Sequence, residues 1–128
     1  MAIVTPHAKN HEGLAALASR YVEVASLPWT PTRFEGVEMK MLMEDKTTGL
    51  STALVRFAPG AILPSHEHVE LEQTFVMEGS LEDEEGAVTA GNYVWRPAGS
   101  RHDARAPNGC LALSLFLKPN KFFDTPEN

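Results

Sequence analysis

Turn-forming residues interrupt this 128-residue sequence at short and regular intervals. Clusters rich in Gly, Pro, Asn and Asp separate short apolar or β-branched runs, at residues 45–49, 59–60, 78–79, 83–86, 90–92, 97–99 and 107–109. Gly tolerates a positive φ and Pro fixes φ near −65°, so each cluster favours a tight turn. Many short strands at this spacing are typical of a β-sandwich or a β-barrel. The predicted fold class is therefore all-β.

The runs between these turns predict nine strands, near residues 21–25, 33–44, 50–57, 62–69, 71–78, 87–89, 92–96, 102–106 and 110–117. The chain is expected to divide into an N-terminal arm over 1–20, a barrel over 21–120 and a C-terminal tail over 121–128. The arm is helical or extended: Asn10 can cap a weakly amphipathic stretch at 11–18, but Gly13 disfavours a helix. His7 and His11 have the i, i+4 spacing of a helical metal pair. Nothing completes that set, so we interpret them as exposed arm residues.

Composition argues against several classes of protein. The formal net charge is −6 and no basic stripe is present, so nucleic-acid binding is not expected. The longest apolar run, residues 110–117, has the length of a strand and is far shorter than a membrane span. The N-terminus has no signal-peptide pattern, and the single cysteine, Cys110, lies in that apolar run as a buried inert thiol would. The cytoplasm is the expected location.

Three of the five histidines fall in the predicted strands: His66, His68 and His102. Residues two apart in a strand project from the same face, so His66 and His68 point together, and in a closed barrel that face can be the interior. Imidazoles with a carboxylate suit Zn, Fe, Ni, Cu or Mn better than Ca or Mg. Glu70 and Glu72 share the parity of the histidines. Periodicity therefore leaves three sites open: one completed by Glu72, one completed by Glu70, and one of three histidines only.

The spacing of these residues resembles the two signature motifs of the cupin superfamily. The motif G-x5-H-x-H-x3-E-x6-G matches Gly60, His66, His68, Glu72 and Gly79, and the motif G-x5-P-x-G-x2-H matches Gly91, Pro97, Gly99 and His102. The family often has Asn where this chain has Ala106, but that Asn is not a ligand. The resemblance implies a jelly-roll-like cupin β-barrel that binds one divalent metal ion. It also implies the ligands, which are His66, His68, Glu72 and His102.

Over roughly residues 21–120 the chain resembles the ChrR-type cupins. The runs that carry this resemblance are 56–61, 64–68, 77–80, 95–102 and 108–110. The group includes the C-terminal domain of ChrR-type anti-sigma factors and small metal-dependent dioxygenases of the acetylacetone and dihydroxyacetophenone kind. Residues 1–20 contain no cysteine, so they cannot supply the helical zinc domain through which the anti-sigma factors bind the sigma factor.

The resemblance implies three alternative functions. The first is a non-haem iron dioxygenase that cleaves a small β-dicarbonyl or hydroxyketone inside the barrel. The second is a non-catalytic sensor or binding module, in which four ligands fill the tetrahedral shell of zinc. The third is a metal-dependent isomerase of small oxo-acids or sugars. Fe(II) and Zn(II) are the expected ions, with Mn(II) and Ni(II) as alternatives, and metal identity with coordination number discriminates the functions.

Parity also predicts which residues line the ligand cavity. Thr74, Val76 and Ala104 share the inward face of the histidines, and Phe57 and Trp95 are candidates by size. For each of the five, ordinary core packing is the simpler interpretation.

Two surface features complete the predictions. The acidic cluster Glu82–Glu85 is interpreted as a solvated hairpin tip. Four apolar residues lie outside the predicted barrel: Leu14, Leu17, Phe122 and Phe123. We expect their side chains to be shielded from solvent, either by the barrel's own surface or by a partner. We therefore predict a homodimer.

Overall fold

The computed structural model describes residues 3–123, and within that range the regular structure is eleven β-strands and one 3₁₀ turn at Val24–Ser26. The strands are β1 (Ile3–Val4), β2 (Thr30–Pro31), β3 (Val37–Asp45), β4 (Ser51–Phe57), β5 (Ala61–Glu67), β6 (Glu72–Glu82), β7 (Ala87–Thr89), β8 (Tyr93–Arg96), β9 (Arg101–Ala106), β10 (Cys110–Phe116) and β11 (Lys121–Phe122). The strand pairs are antiparallel. The all-β prediction is confirmed.

The strands form one curled sheet in the order β1-β3-β4-β10-β6-β9-β5-β11, with β2 beside β3 and with β7 and β8 beside β6. Strand β6 changes partners along its length. Residues 72–79 pair with β10 or β8, whereas residues 80–82 pair with β7 and β9. The sheet bends at this change and wraps around a common interior, as in a jelly-roll-like barrel.

Gly79 lies at the bend of β6 and has a φ of +72°. A Cβ atom at this position would overlap the carbonyl oxygen of Gly109 on the adjacent turn. Since that oxygen belongs to backbone, no side-chain rotation can relieve the clash, and only glycine fits. This close approach is the physical reason for the glycine that ends the first motif.

The barrel interior holds an apolar core drawn from most of the long strands. Its buried members are Val37, Ala53, Val55, Phe57, Ala61, Val76, Leu81, Val88, Ala106, Cys110 and Ala112. Burial raises the pKa of the Cys110 thiol to about 11, so the thiolate is disfavoured at neutral pH. Cys110 is therefore a packing residue, as predicted.

Eight of the nine predicted strands correspond to strands β3 to β10, and the prediction of a strand at 21–25 is wrong. The helical option for residues 11–18 is also wrong, because turns and bends occupy them. The side chain of Leu17 is 99% exposed, so a helix here would bury no apolar face. His7 is exposed and His11 bonds the Tyr21 carbonyl oxygen at 2.8 Å, away from the other histidines.

The described residues contain no helix long and apolar enough to cross a membrane. Strand β11 lies in the predicted tail and pairs with β5, placing Phe122 opposite His66. The Phe122 ring packs on the rings of Phe34 and His66, at centroid distances of 4.8 and 4.9 Å. The barrel's own surface therefore covers Phe122.

Candidate metal centre

Three histidines converge at one end of the barrel. His66 lies near the end of β5, His68 follows that strand directly, and His102 on β9 is the cross-strand partner of His66. Their ring centroids are 4.5 to 5.0 Å apart, and one nitrogen from each lies within 4.8 Å of the others. His66 and His68 are almost fully removed from solvent, at 2% and 0% exposed, and His102 is partly buried. Such a cluster can hold a metal ion.

Hydrogen bonds determine which nitrogen of each imidazole faces the centre. Each Nδ1 lies against an oxygen that can only accept: the Pro64 carbonyl 2.8 Å from His66, the Ser100 carbonyl 3.1 Å from His68, and the Asp83 carboxylate 3.1 Å from His102. The Ser100 hydroxyl, 2.9 Å from His68 Nδ1, also accepts, because it donates its own proton to the Pro97 carbonyl. Each Nδ1 must therefore carry the proton and donate it. The three Nε2 atoms are left with lone pairs, the state in which imidazole binds a metal.

The atoms at the centre of the cluster are electron-rich. His68 Nε2 lies 3.1 Å from His102 Nε2 and 3.2 Å from Glu72 Oε2. Lone pairs and a carboxylate at these separations repel one another unless a positive charge lies between them. Imidazole nitrogens with one carboxylate are the donor set of a divalent transition metal, so the residues fit such an ion.

Glu72, and not Glu70, is the carboxylate beside the histidines. Glu72 begins β6 with its side chain 10% exposed, whereas Glu70 is exposed in the turn before it. Burial by itself would raise the pKa of Glu72, but in the metal-free chain a proton on His68 and the Asn120 amide, 3.3 Å from Oε1, hold that pKa below its usual value. The carboxyl group is therefore ionised.

A functional residue that sequence reasoning missed is Asp83, whose side chain is only 4% exposed. Its Oδ1 accepts the backbone N–H groups of Glu85 and Gly86, while Oδ2 accepts from His102 Nδ1 and from Arg96 Nη1 at 2.8 Å. The prediction of a solvated hairpin tip holds for Glu85 and is wrong for Asp83. The local signal in the sequence was that of a turn-capping aspartate, and nothing in it pointed to His102.

Burial and charge leave these groups in the protonation states that metal binding needs. Burial, aided by the guanidinium of Arg96, lowers the pKa of His102 to about 4, and burial lowers the pKa of His66. Burial opposes ionisation of Asp83, but the bond from the Glu85 N–H and the charge of Arg96 outweigh it and lower that pKa. Neutral imidazoles beside ionised carboxylates are the competent form at neutral pH.

A cavity of about 480 Å³ extends from this end into the barrel. Glu72, Arg96 and His102 line the end beside the cluster, and most other walls are apolar: Phe34, Val37, Met39, Met41, Val55, Phe57, Leu63, Leu81, Val94, Ala104, Phe116 and Phe122. Thr74 also lines it. Of the predicted lining residues, Thr74, Ala104 and Phe57 are thus confirmed.

Two predicted lining residues do not reach the cavity. Val76 is fully buried in the core, where its side chain packs with other residues of the apolar cluster. Trp95 is 59% exposed on the outer face, because its neighbour Arg96 takes the inward position of β8.

A histidine cluster with an adjacent carboxylate, at one end of a curled antiparallel barrel, defines a small β-barrel protein with a candidate metal site. The family model of the ChrR cupin-like domain matches residues 17–119. The chain belongs to the ChrR cupin-like family, and the predicted cupin fold is confirmed. A comparison with curated proteins finds no match.

Solved structures share this fold. A putative acetylacetone dioxygenase from Methylibium petroleiphilum PM1 is 22% identical, with a TM-score of 0.78 and 90% of each chain covered. An acetylacetone dioxygenase from Acinetobacter johnsonii is 23% identical, with a TM-score of 0.75, 87% of this chain and 82% of that chain covered. A chain of the Rhodobacter sphaeroides complex of SigE with the anti-sigma ChrR is 24% identical, with a TM-score of 0.62, 73% of this chain and 50% of that chain covered.

Proposed function

We propose that this protein is a metal-dependent dioxygenase that cleaves a small β-dicarbonyl or hydroxyketone. The observation that carries the proposal is the convergence of three imidazoles and the Glu72 carboxylate at one end of a mostly apolar cavity. Two similar structures named as acetylacetone dioxygenases, one of them putative, support the choice of substrate class.

In this proposal one Fe(II) ion is held by His66, His68, Glu72 and His102, with Zn(II), Mn(II) and Ni(II) as alternative ions. Bound iron supplies Lewis acidity toward a chelating ligand and redox chemistry with O₂. Four protein ligands on a six-coordinate ion would leave two positions for a bidentate substrate.

The residues around the cluster would select a substrate with one negative charge. Glu72 and Asp83 each carry a negative charge, and Arg96 carries a positive charge 2.8 Å from Asp83 and 4.0 Å from Glu72. With a divalent ion the site keeps one positive charge, which an enolate of a β-dicarbonyl neutralises. The apolar walls would exclude water from the reacting groups.

The cavity weighs against the alternative of a closed zinc site, but it does not discriminate between a dioxygenase and an isomerase. A structural zinc site has a closed shell and needs no adjoining cavity, whereas this cluster faces one of about 480 Å³. An isomerase would use the same ligands and the same cavity, so only the reaction separates it from a dioxygenase.

Reconstitution of the apo-protein with Fe(II) or Zn(II) tests the proposal. Oxygen consumption is measured with 2,4-pentanedione and with a hydroxyacetophenone, and turnover is expected with iron only, since zinc has no redox chemistry. Glu72→Gln should abolish turnover, and the matched variant Glu70→Gln should retain it. Equal substrate conversion with both ions would favour an isomerase, and tight zinc binding without turnover on either ion would favour the sensor.

We also propose that the chain forms a homodimer. Exposed apolar side chains cluster on the outer face of three adjoining strands, with Phe75 and Met77 on β6, Tyr93 and Trp95 on β8, and Leu115 on β10. Phe75 and Tyr93 are direct cross-strand partners, which makes the surface continuous. An apolar surface of this kind is typical of protein interfaces.

A further inference from the structure

Two hydroxyl groups face each other inside the otherwise apolar part of the cavity. Thr74 Oγ1 and Ser114 Oγ are 3.0 Å apart, and both residues line the cavity while being only 5% exposed. They are direct partners across β6 and β10, so the strand register itself brings them together.

The surroundings of this pair are apolar. Ala53 is the partner of Ser114 on β4, and Val94 is the partner of Thr74 on β8. Glu72 lies two residues before Thr74 on the same face of β6, about 6.5 Å along the strand. The pair is thus the next polar position inward from the proposed metal ligands.

The hydrogen-bond count of the pair is incomplete. Two hydroxyls carry two protons, their mutual bond uses one, and neither oxygen has another hydrogen-bond partner within residues 3–123. One O–H donor therefore has no protein acceptor within residues 3–123. An unpaired buried donor is unfavourable, and valine with alanine would fill the same space without it. The donor can form a hydrogen bond if a bound ligand supplies the acceptor.

We propose that the Thr74–Ser114 pair is a substrate-positioning subsite that donates one hydrogen bond to an oxygen of the bound ligand. The inference rests on the proposed function and narrows its substrate class. The favoured ligand has two chelating oxygens and a third oxygen, such as a carbonyl, ether or hydroxyl, on the adjoining carbon chain. A ligand without that oxygen leaves the donor unpaired and binds more weakly.

Two matched diketones test the subsite on zinc-loaded protein, in which binding is measured without turnover. The ligands are 2,4-heptanedione and 1-methoxy-2,4-pentanedione, which differ by one CH₂ replaced by oxygen. The ratio of their Kd values is compared between wild type and the double variant Thr74→Val, Ser114→Ala. This comparison cancels the intrinsic difference in acidity between the two ligands. The preference for the methoxy ligand should fall roughly three- to tenfold in the double variant.

The outcomes separate this subsite from the proposed function. Binding of both ligands with the same Kd ratio in wild type and double variant would overturn the subsite alone. Binding of neither ligand to wild type would overturn the proposed function and the subsite with it. The conservative variant Thr74→Ser keeps the hydroxyl, so it should keep the wild-type ratio.

Thermal unfolding of the apo-protein provides a readout independent of metal and ligand. If the hydroxyls serve recognition, the double variant should have a Tm equal to or above that of wild type, because an unpaired donor has been removed. A clear decrease in Tm, together with an unchanged Kd ratio, would show that the pair serves packing and would overturn the proposal.

Discussion

Asparagine in place of Asp83 would test whether the turn at residues 83–86 controls the proposed metal centre. The Asp83 carboxylate accepts from His102 Nδ1 at 3.1 Å and from Arg96 Nη1 at 2.8 Å, both through Oδ2. An amide of the same shape can offer only one oxygen. If that oxygen keeps the bonds to the backbone of the turn, an NH₂ group faces two donors, and His102 loses the acceptor that orients it.

The expected loss follows from the burial of this contact. Groups that orient a metal-binding histidine change metal affinity by about 10- to 100-fold when they are replaced. Asp83 is almost completely buried, and the asparagine would oppose two donors at once. We therefore expect affinity to fall about 30-fold, equivalent to about 2 kcal/mol.

The assay is a competition titration of apo-protein and a chromophoric chelator for Zn(II) at neutral pH. Asp103→Asn is the matched control, because Asp103 adjoins His102 on β9 but bonds only the Arg105 side chain and is partly exposed. The Zn(II) affinity of that variant should stay within about twofold of the wild-type affinity. A folded Asp83→Asn protein with wild-type affinity, or equal losses in the two variants, would refute the reasoning.

Three further predictions address the ligands, the response to pH and the oligomeric state. His68→Ala or His102→Ala should lose stoichiometric metal by elemental analysis, whereas His11→Ala should keep it. Because the folded pKa of His102 is lowered to about 4, the unfolded chain gains this proton first as pH falls below about 6.5. The loss of unfolding free energy between pH 7 and pH 4, measured by urea denaturation of apo-protein, should therefore be about 3 kcal/mol smaller in His102→Gln than in wild type. Light scattering should give a dimer at micromolar concentration and a monomer for Trp95→Glu; a monomeric wild type would end the dimer proposal.

The sequence by itself determined the fold class and the grouping of the candidate ligands. Turn residues at short intervals left room only for short strands, and period-two alternation put His66 and His68 on one face. The motif spacing selected Glu72, which the structure brings next to His68. The motif identified Gly79 as a position that requires glycine. The reason, a close approach to the backbone of Gly109, is seen only in the structure.

Only the tertiary structure decided what surrounds those ligands. Asp83 meets His102 across 19 residues, Thr74 meets Ser114 across 40 and Asn120 meets Glu72 across 48. Local periodicity specifies which face a side chain takes but not which strand lies opposite, since a strand's pairing and register depend on the whole sheet. For the same reason β11 was not predictable: its conformation follows from docking on β5 and not from local propensity.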